Sequence, residues 1–145
     1  GSGRCHCSQT RLTDYRARLS GPLLDRFDMH VEVARVPYEQ TRRIGPRGET
    51  DAARASVSAA RTIQQERCGV LNAYLEHREL LRVAALDSRA QALLGDAAER
   101  WNLSARSCDR ILKVCRTIAD LSGKRHISPA NVAEAVQLRC LDRPL

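Results

Sequence analysis

Aromatic side chains are scarce in this chain of 145 residues. They make up 3% of the sequence, whereas hydrophobic residues as a whole make up 43%. The core must therefore be built mainly from Leu, Ala, Val and Ile, a composition that favours packed helices over a β-sandwich or a barrel. The length suits about one domain. We predict a globular, mainly α-helical fold.

Long apolar runs are absent as well. The sequence has no stretch of about 18 apolar residues, and its amino terminus lacks the charged and then apolar pattern of a secretory signal. We therefore expect a cytoplasmic protein without a membrane span. The cysteines are too dispersed for a disulfide framework, and we expect them to be reduced. They are Cys5, Cys7, Cys68, Cys108, Cys115 and Cys140.

The motifs of a self-sufficient hydrolase are missing too. Gly123-Lys124 is the only Gly-Lys pair, but Ile118 stands where a phosphate loop needs its first glycine, and Arg125 takes the hydroxyl position. We therefore predict that the chain alone does not hydrolyse ATP. The histidines have no motif context that would indicate a Ser/His/Asp set, and we expect them at the surface or in loops. They are His6, His30, His77 and His126.

Positive charge is in excess. The sequence contains 24 Lys and Arg against 17 Asp and Glu, a formal net charge of +7. Such a surface attracts the phosphates of a nucleotide or of a nucleic-acid backbone. One interpretation is therefore a free-standing basic helical module that binds nucleic acid or a protein partner. With few aromatic residues to stack on bases, such binding would be directed at the backbone and would weaken with salt.

Helical periodicity is clearest in the carboxy-terminal third. Asp87, Ser104 and Ser128 are each placed to cap a helix, and Gly123 is placed to end the second of the three. The first two helices carry one apolar stripe each, at spacings of three and four residues. The stripes are Ala90, Leu93, Leu94, Ala97 and Trp101, and then Cys108, Ile111, Leu112, Cys115, Ile118 and Ala119. Three helices joined by short loops predict a bundle.

Earlier residues give weaker helical signals. We predict a helix from 51 to 67 that ends near Gly69, with Val57, Ala60 and Ile63 on one side. A short helix is predicted from about 76 to 82, although no long period holds around it.

The amino-terminal residues give mixed signals. Spacing predicts a short helix from 8 to 19, followed by a turn that Ser20 can cap. Alternation from Met29 to Val33 predicts a strand that ends near Pro37. Because a single strand is not stable alone, we expect it to pair with another part of a longer protein. Residues 41–51 lack apolar periodicity and predict a linker or mobile loop.

Arginines are the strongest functional candidates. Arg26 lies between Asp25 and Asp28, where an apolar turn ends, and such an edge would aim one guanidinium outward. Arg106 and Arg110 lie one turn apart near the start of a predicted helix, where unpaired backbone N–H groups favour anions. Spacing gives no functional case for Arg116, Arg139 and Arg143.

A second candidate site is the tripeptide Cys5-His6-Cys7. Two thiolates at this spacing are plausible zinc ligands, but a closed tetrahedral site needs four. Cys5 and Cys7 therefore amount to half of a metal site.

Three segments together carry a resemblance to a known family. Residues 18–33, the tetrapeptide Leu103-Ser104-Ala105-Arg106 and residues 110–121 resemble the magnesium-chelatase-like AAA+ ATPases of the ComM (YifB) group. Leu24-Asp25-Arg26-Phe27-Asp28 is also similar to the arginine-finger segment of minichromosome-maintenance helicases, which belong to the same branch of AAA+ proteins. The resemblance extends over nearly the whole chain.

The resemblance implies the carboxy-terminal fragment of a longer ATPase. Residues 1–40 would be the last helix and strand of the α/β core, 41–51 a linker, and 52–145 the α-helical lid. The ATP site lies between subunits of a ring, which we expect to be a hexamer. Arg26 would then be a finger acting in trans on the neighbour's site, and Arg106 the sensor-2 arginine, with Arg110 as the fallback.

The same resemblance implies cofactors and partners. The full-length protein would use ATP and Mg²⁺, whereas no cofactor is expected for the fragment. A cysteine pair upstream would complete a Zn²⁺ site with Cys5 and Cys7. The ComM (YifB) group is linked to branch migration of recombining DNA, so DNA is the expected partner. The alternative within the family is an ATPase subunit that drives Mg²⁺ insertion into a porphyrin, although nothing in these residues is typical of a porphyrin site.

Overall fold

The structure is a computed structural model that describes residues 6–18, 21–42 and 48–142. Its helices are α1 (Gln9–Ala17), α2 (Gly21–Leu24), α3 (Tyr38–Thr41), α4 (Glu49–Cys68), α5 (His77–Val83), α6 (Ser88–Trp101), α7 (Ala105–Leu121) and α8 (Pro129–Gln137). Short 3₁₀ turns occupy Asn72–Tyr74 and Cys140–Asp142. None of the described helices is long and apolar enough to cross a membrane. The predicted mainly α class is confirmed.

Helix α7 is the centre of the bundle. It packs against α4, α5 and α8, and α6 packs against α8. The buried core is aliphatic apart from one cysteine, and Trp101 packs at its edge. Its fully buried members include Leu80, Ile111, Cys115 and Val132. Each large aliphatic side chain buried in this way contributes about 1.5–3 kcal/mol to folding.

The helix starts in the carboxy-terminal third follow the predicted caps. The Asp87 carboxylate accepts the backbone N–H three residues on at 2.7 Å, and the Ser104 hydroxyl does the same at 3.1 Å. Ser128 forms a reciprocal capping box with Asn131. Because each cap satisfies a donor that the helix itself leaves unpaired, removal of one typically costs about 1 kcal/mol.

Glycines end α4 and α7 as predicted. Gly69 has a φ of 71° and Gly123 a φ of 64°, both in the left-handed region that a side chain disfavours. The backbone amides of Gly69 and Gly123 donate to helix carbonyls at 2.7 and 3.0 Å. Each helix therefore ends with these carbonyls hydrogen-bonded.

The buried face of α4 differs from the predicted one. Ala60 is buried as expected, but its buried neighbour is Gln64, while Val57 and Ile63 are 45% and 36% exposed. The Gln64 side-chain oxygen accepts the backbone N–H of Asn72 at 3.0 Å. This face therefore contributes a hydrogen bond where the sequence predicted apolar contact.

The predicted strand from Met29 to Val33 is wrong for the described chain, since residues 31–37 form no regular structure. A single parallel bridge joins His30 to Arg139, and the His30 amide donates to the Leu138 carbonyl at 2.6 Å. A strand without a sheet beside it cannot satisfy its backbone groups, which explains the difference. The histidine was predicted at the surface or in a loop, and it lies outside the helices but is buried.

Helix α1 forms within the predicted range, but Leu12 and Tyr15 are 40% and 69% exposed. Some predictions lie outside the described residues. These are the flexible start at Gly1-Ser2-Gly3, the ligand Cys5, the cap at Ser20, residues 43–47 of the linker, and Arg143.

Candidate functional site

The segment Asp25-Arg26-Phe27-Asp28, called here the docked segment, is held against the start of α7. Asp25 accepts hydrogen bonds from the hydroxyls of Ser107 at 2.6 Å and Ser104 at 2.9 Å. The Ser107 hydrogen bond is the main reason why the pKa of Asp25 is lowered, against a smaller opposing effect of burial. The residue that caps α7 therefore also fixes the docked segment.

The other end of the docked segment is held by an ion pair. Arg110 of α7 donates to the Asp28 carboxylate through Nη1. The Arg110 side chain is 26% exposed, and its Nε is buried without a hydrogen-bond partner among the described residues. This guanidinium is thus already paired, in an ion pair that is partly exposed to solvent.

A buried arginine lies beneath the segment. Arg139, just after α8, is 0% exposed and donates to the backbone carbonyl of Phe27. It also donates to the Ser107 hydroxyl at 3.2 Å and to the Asp142 carboxylate at 2.5 Å. Such a charge is tolerated in the interior only because its donors are satisfied in this way.

Sequence reasoning missed Arg139, for which spacing gave no case. One signal was available, because Asp142 follows three residues later and can form a local ion pair. Its contacts with Phe27 and Ser107 join residues far apart in the chain, and no local pattern indicates them.

His30 packs against Phe27 of the docked segment. Its ring meets Phe27 edge to face, with centroids 6.4 Å apart. Burial lowers the pKa of His30, and the nearby charge of Arg139 lowers it further. The histidine is therefore a neutral packing residue at neutral pH.

Arg26 and Arg106 lie next to these contacts in the chain. Both side chains are exposed, and neither forms a salt bridge with any residue in the described ranges. Arg106 lies between Ser104 and Ser107 in the chain, and its charge contributes to lowering the pKa of Asp25. The contacts of Asp25 and Asp28 thus hold the docked segment, which contains Arg26, against the start of α7, which carries Arg106 and the already paired Arg110.

The described residues do not gather metal ligands. Cys7 is exposed, and no group of three or more His, Cys, Asp or Glu within the described ranges is placed to hold an ion. Burial raises the pKa of the Cys115 thiol to about 12, which disfavours the thiolate that a metal requires.

Comparison with known proteins identifies the family. Residues 48–139 match the family model described as magnesium chelatase, subunit ChlI C-terminal, and residues 1–41 match that of magnesium chelatase, subunit ChlI. The chain therefore belongs to the magnesium chelatase ChlI family.

Within this family the chain falls in the ComM/YifB group. It is 43% identical over 139 residues to the competence protein ComM of Haemophilus influenzae, covering 95% of this chain and 27% of that protein. It is 38% and 36% identical to the YifB proteins of Salmonella typhimurium and Escherichia coli, each time over 96% of this chain and 28% of the relative. The chain thus spans little more than a quarter of the length of these curated relatives.

Proposed function

We propose that this chain is the carboxy-terminal part of a magnesium-chelatase-like AAA+ ATPase. In this proposal residues 1–40 end the α/β core, 41–51 form the linker, and 52–145 form the lid. Arg26 enters the ATP site of the neighbouring subunit in a ring. The observation that carries the proposal is an exposed Arg26, without a salt bridge to any described residue, that lies between two anchored aspartates.

The anchoring supports a catalytic role for Arg26. Asp25 and Asp28 are bound to α7 on either side of it, and Arg139 holds the carbonyl that follows it. These contacts fix the main chain that carries Arg26, and a planar guanidinium presented from a fixed main chain can neutralise charge that develops on a γ-phosphate at a smaller ordering cost. A mobile arginine would lose part of that advantage to conformational entropy.

The position of Arg106 supports its assignment as the sensor-2 residue. Arg106 is exposed at the end of α7 that holds the docked segment with Arg26, whereas Arg110 is paired with Asp28. The geometry therefore favours Arg106 over the fallback. Arg26 follows Asp25 in the chain, and Arg106 is near enough to Asp25 to lower its pKa, so we expect one phosphate group to be within reach of both.

The described residues fit the phosphates of ATP better than they fit Mg²⁺. Two exposed guanidiniums offer donors to an anion, but both nearby carboxylates, Asp25 and Asp28, already accept hydrogen bonds from the protein. ATP when bound supplies the phosphoryl group that is transferred. We expect the phosphate loop and the Mg²⁺ ligands to come from a core that precedes this chain.

The work driven by hydrolysis is a further part of the proposal. The ComM relative is named a competence protein, and we propose remodelling or branch migration of DNA in recombination or transformation. The description of the family models favours a second candidate, an ATPase subunit of a metal chelatase. Stimulation of ATP turnover by branched DNA would separate the first from the second.

Arg26→Ala tests the finger in the longer protein. We expect ATP turnover to fall by about 10³-fold or more, with nucleotide binding unchanged, because the lost charge acts on the transition state. Arg35→Ala is the matched control, since Arg35 is exposed in the same part of the chain.

Mixing separates action in trans from action in cis. A variant without the phosphate-loop lysine keeps its Arg26 and should restore turnover when it assembles with the Arg26→Ala protein. Undiminished hydrolysis by Arg26→Ala alone would remove the finger assignment, and a failure to complement would remove the action in trans.

A further inference from the structure

A positively charged cleft lies at the opposite end of α7 from the docked segment. It has a volume of about 560 Å³ and lies between α4, α5 and the turn after α7. We call this cavity the basic cleft. Its charged lining residues are Arg67, Arg82, Arg116, Lys124, Arg125 and Asp120. Asp120 lies fourteen positions after Arg106 on α7, which places the two sites about 20 Å apart along the helix.

The single carboxylate of the cleft is already neutralised. The Asp120 carboxylate accepts hydrogen bonds from both terminal nitrogens of Arg67 at 2.7 and 2.8 Å. It also accepts from Nε of Arg116 at 3.1 Å and from the side-chain amide of Asn72 at 2.9 Å. Burial alone would raise the pKa of Asp120, but the hydrogen bonds from Arg67 and Asn72 outweigh it and the pKa is lowered. One negative charge is thus shared by two arginines, and the cleft keeps an excess of positive charge.

The same network fixes the basic turn. Arg116 is 2% exposed and donates to the backbone carbonyls of Arg125 at 2.8 Å and Lys124 at 2.6 Å. Gly123 adopts a left-handed φ that lets the chain turn there. Lys124 and Arg125 therefore have ordered main chains and exposed side chains.

Three cations at the cleft remain available to a ligand. Arg82, Lys124 and Arg125 are exposed and form no salt bridge with the part of the chain that the structure describes. Guanidinium and ammonium groups converging on one cavity match the tetrahedral oxygens of a phosphate. Among the described lining residues, His126 is the only ring, so the cleft offers little surface on which a base could stack.

We propose that the basic cleft is a binding site for phosphate groups, from either a nucleic-acid backbone or a free nucleotide. Recognition through phosphates without base contacts makes binding insensitive to sequence and sensitive to salt. The site does not depend on the role proposed for Arg26, from which it is separated by the length of α7. Loss of one would leave the other intact.

The test compares two double variants of the 145-residue chain. Lys124→Gln/Arg125→Gln removes two charges from the cleft, and Arg89→Gln/Arg100→Gln removes two from the exposed face of α6. Binding of a labelled duplex of about 20 base pairs is measured by fluorescence anisotropy between about 50 and 200 mM salt. Circular dichroism confirms that both variants remain folded.

We expect the cleft variant to bind about tenfold or more weakly, and the slope of log affinity against log salt to fall by about two. The α6 variant should retain most of the affinity. Equal losses in both variants would overturn the proposal, because binding would then reflect net charge alone.

Two competitors identify the source of the phosphate. If ATP or pyrophosphate displaces the duplex from the wild-type chain and binds the cleft variant more weakly, the site takes free phosphates as well. If neither competes while the duplex still depends on Lys124 and Arg125, the ligand is a nucleic-acid backbone. No binding of duplex, ATP or pyrophosphate to the wild-type chain would overturn the proposal.

Discussion

At the scale of single residues, Arg139 links parts of the chain that are far apart in sequence. The residues next to it give no sign of this. It is fully buried and joins Phe27, Ser107 and Asp142 through hydrogen bonds. Removal of its side chain would leave the Asp142 carboxylate, which is 9% exposed, without its partner. The cost of a buried charge left unpaired exceeds the gain from the pair itself.

We therefore expect Arg139→Met to lower the free energy of unfolding by about 3–5 kcal/mol. Urea denaturation of the 145-residue chain, followed by circular dichroism, measures this value. The control is Arg89→Met at an exposed position of α6, which should change stability by about 0.5 kcal/mol or less. A similar small change for Arg139→Met would show that this residue does not hold the docked segment.

Arg106 and Arg110 illustrate how different two arginines one turn apart can be. Arg106 is exposed, whereas Arg110 pairs with Asp28. In the proposed longer ATPase we expect Arg106→Ala to lower turnover by roughly 10²-fold, because a positioned donor to the phosphate is lost. It should change the unfolding free energy of the 145-residue chain by about 0.5 kcal/mol or less, since Arg106 is exposed and acts on Asp25 only through its charge.

Arg110→Ala should behave in the opposite way. It removes a partly exposed ion pair, so we expect it to cost up to about 1 kcal/mol of stability and to affect turnover less than Arg106→Ala. ATP hydrolysis and urea unfolding of both variants measure the contrast. Greater loss of turnover in Arg110→Ala would reverse the sensor-2 assignment.

At the scale of elements, local signals predicted the carboxy-terminal helices and their limits. The caps Asp87, Ser104 and Ser128 act within three residues, so the sequence contains everything that places them. The buried position of Gln64 was not predictable, because its partner Asn72 lies across a turn. The sequence predicted Arg26, Arg106 and Arg110 as separate candidates. Only the contacts of the docked segment with α7 show that they belong to one end of that helix.

Two carboxylates attach other elements to α7, and both make stability depend on pH. Asp25 joins the docked segment to α7, and Asp120 joins α4 to it. Their folded pKa values lie below the usual 3.8. The unfolded state therefore binds protons first, and the stabilisation present above about pH 5 is lost as the pH falls through 4 toward the folded values.

We expect the urea midpoint of the 145-residue chain to decrease steadily below about pH 5. Asp120→Asn should flatten this decrease, since it removes one of the two carboxylates whose folded pKa values are lowered. Asp51→Asn is the control, because Asp51 pairs only with exposed Arg54 on α4. An unchanged pH profile for Asp120→Asn would contradict the linkage of this carboxylate to folding.

At the scale of the whole molecule, α7 separates two basic sites and carries contacts to both. Ser104, Ser107 and Arg110 hold the docked segment at one end, while Arg116 and Asp120 shape the basic cleft at the other. A change in the angle of this helix would move both sites at once. In a ring ATPase, such an arrangement would connect the state of the nucleotide to whatever occupies the cleft.

Residues 31–37, which form no regular structure, lead to the last prediction. Val31 and Val33 are 65% and 83% exposed, which leaves an alternating apolar segment without a sheet. In the 145-residue chain Val33→Asp should change the unfolding free energy by about 0.5 kcal/mol or less, since the side chain is in solvent. In the longer protein we expect a cost of about 2 kcal/mol or more, because a core strand would bury this position. Val57→Asp, at an exposed site of α4, should cost about the same in both proteins, and an equal small effect of Val33→Asp in both would mean that no sheet forms here.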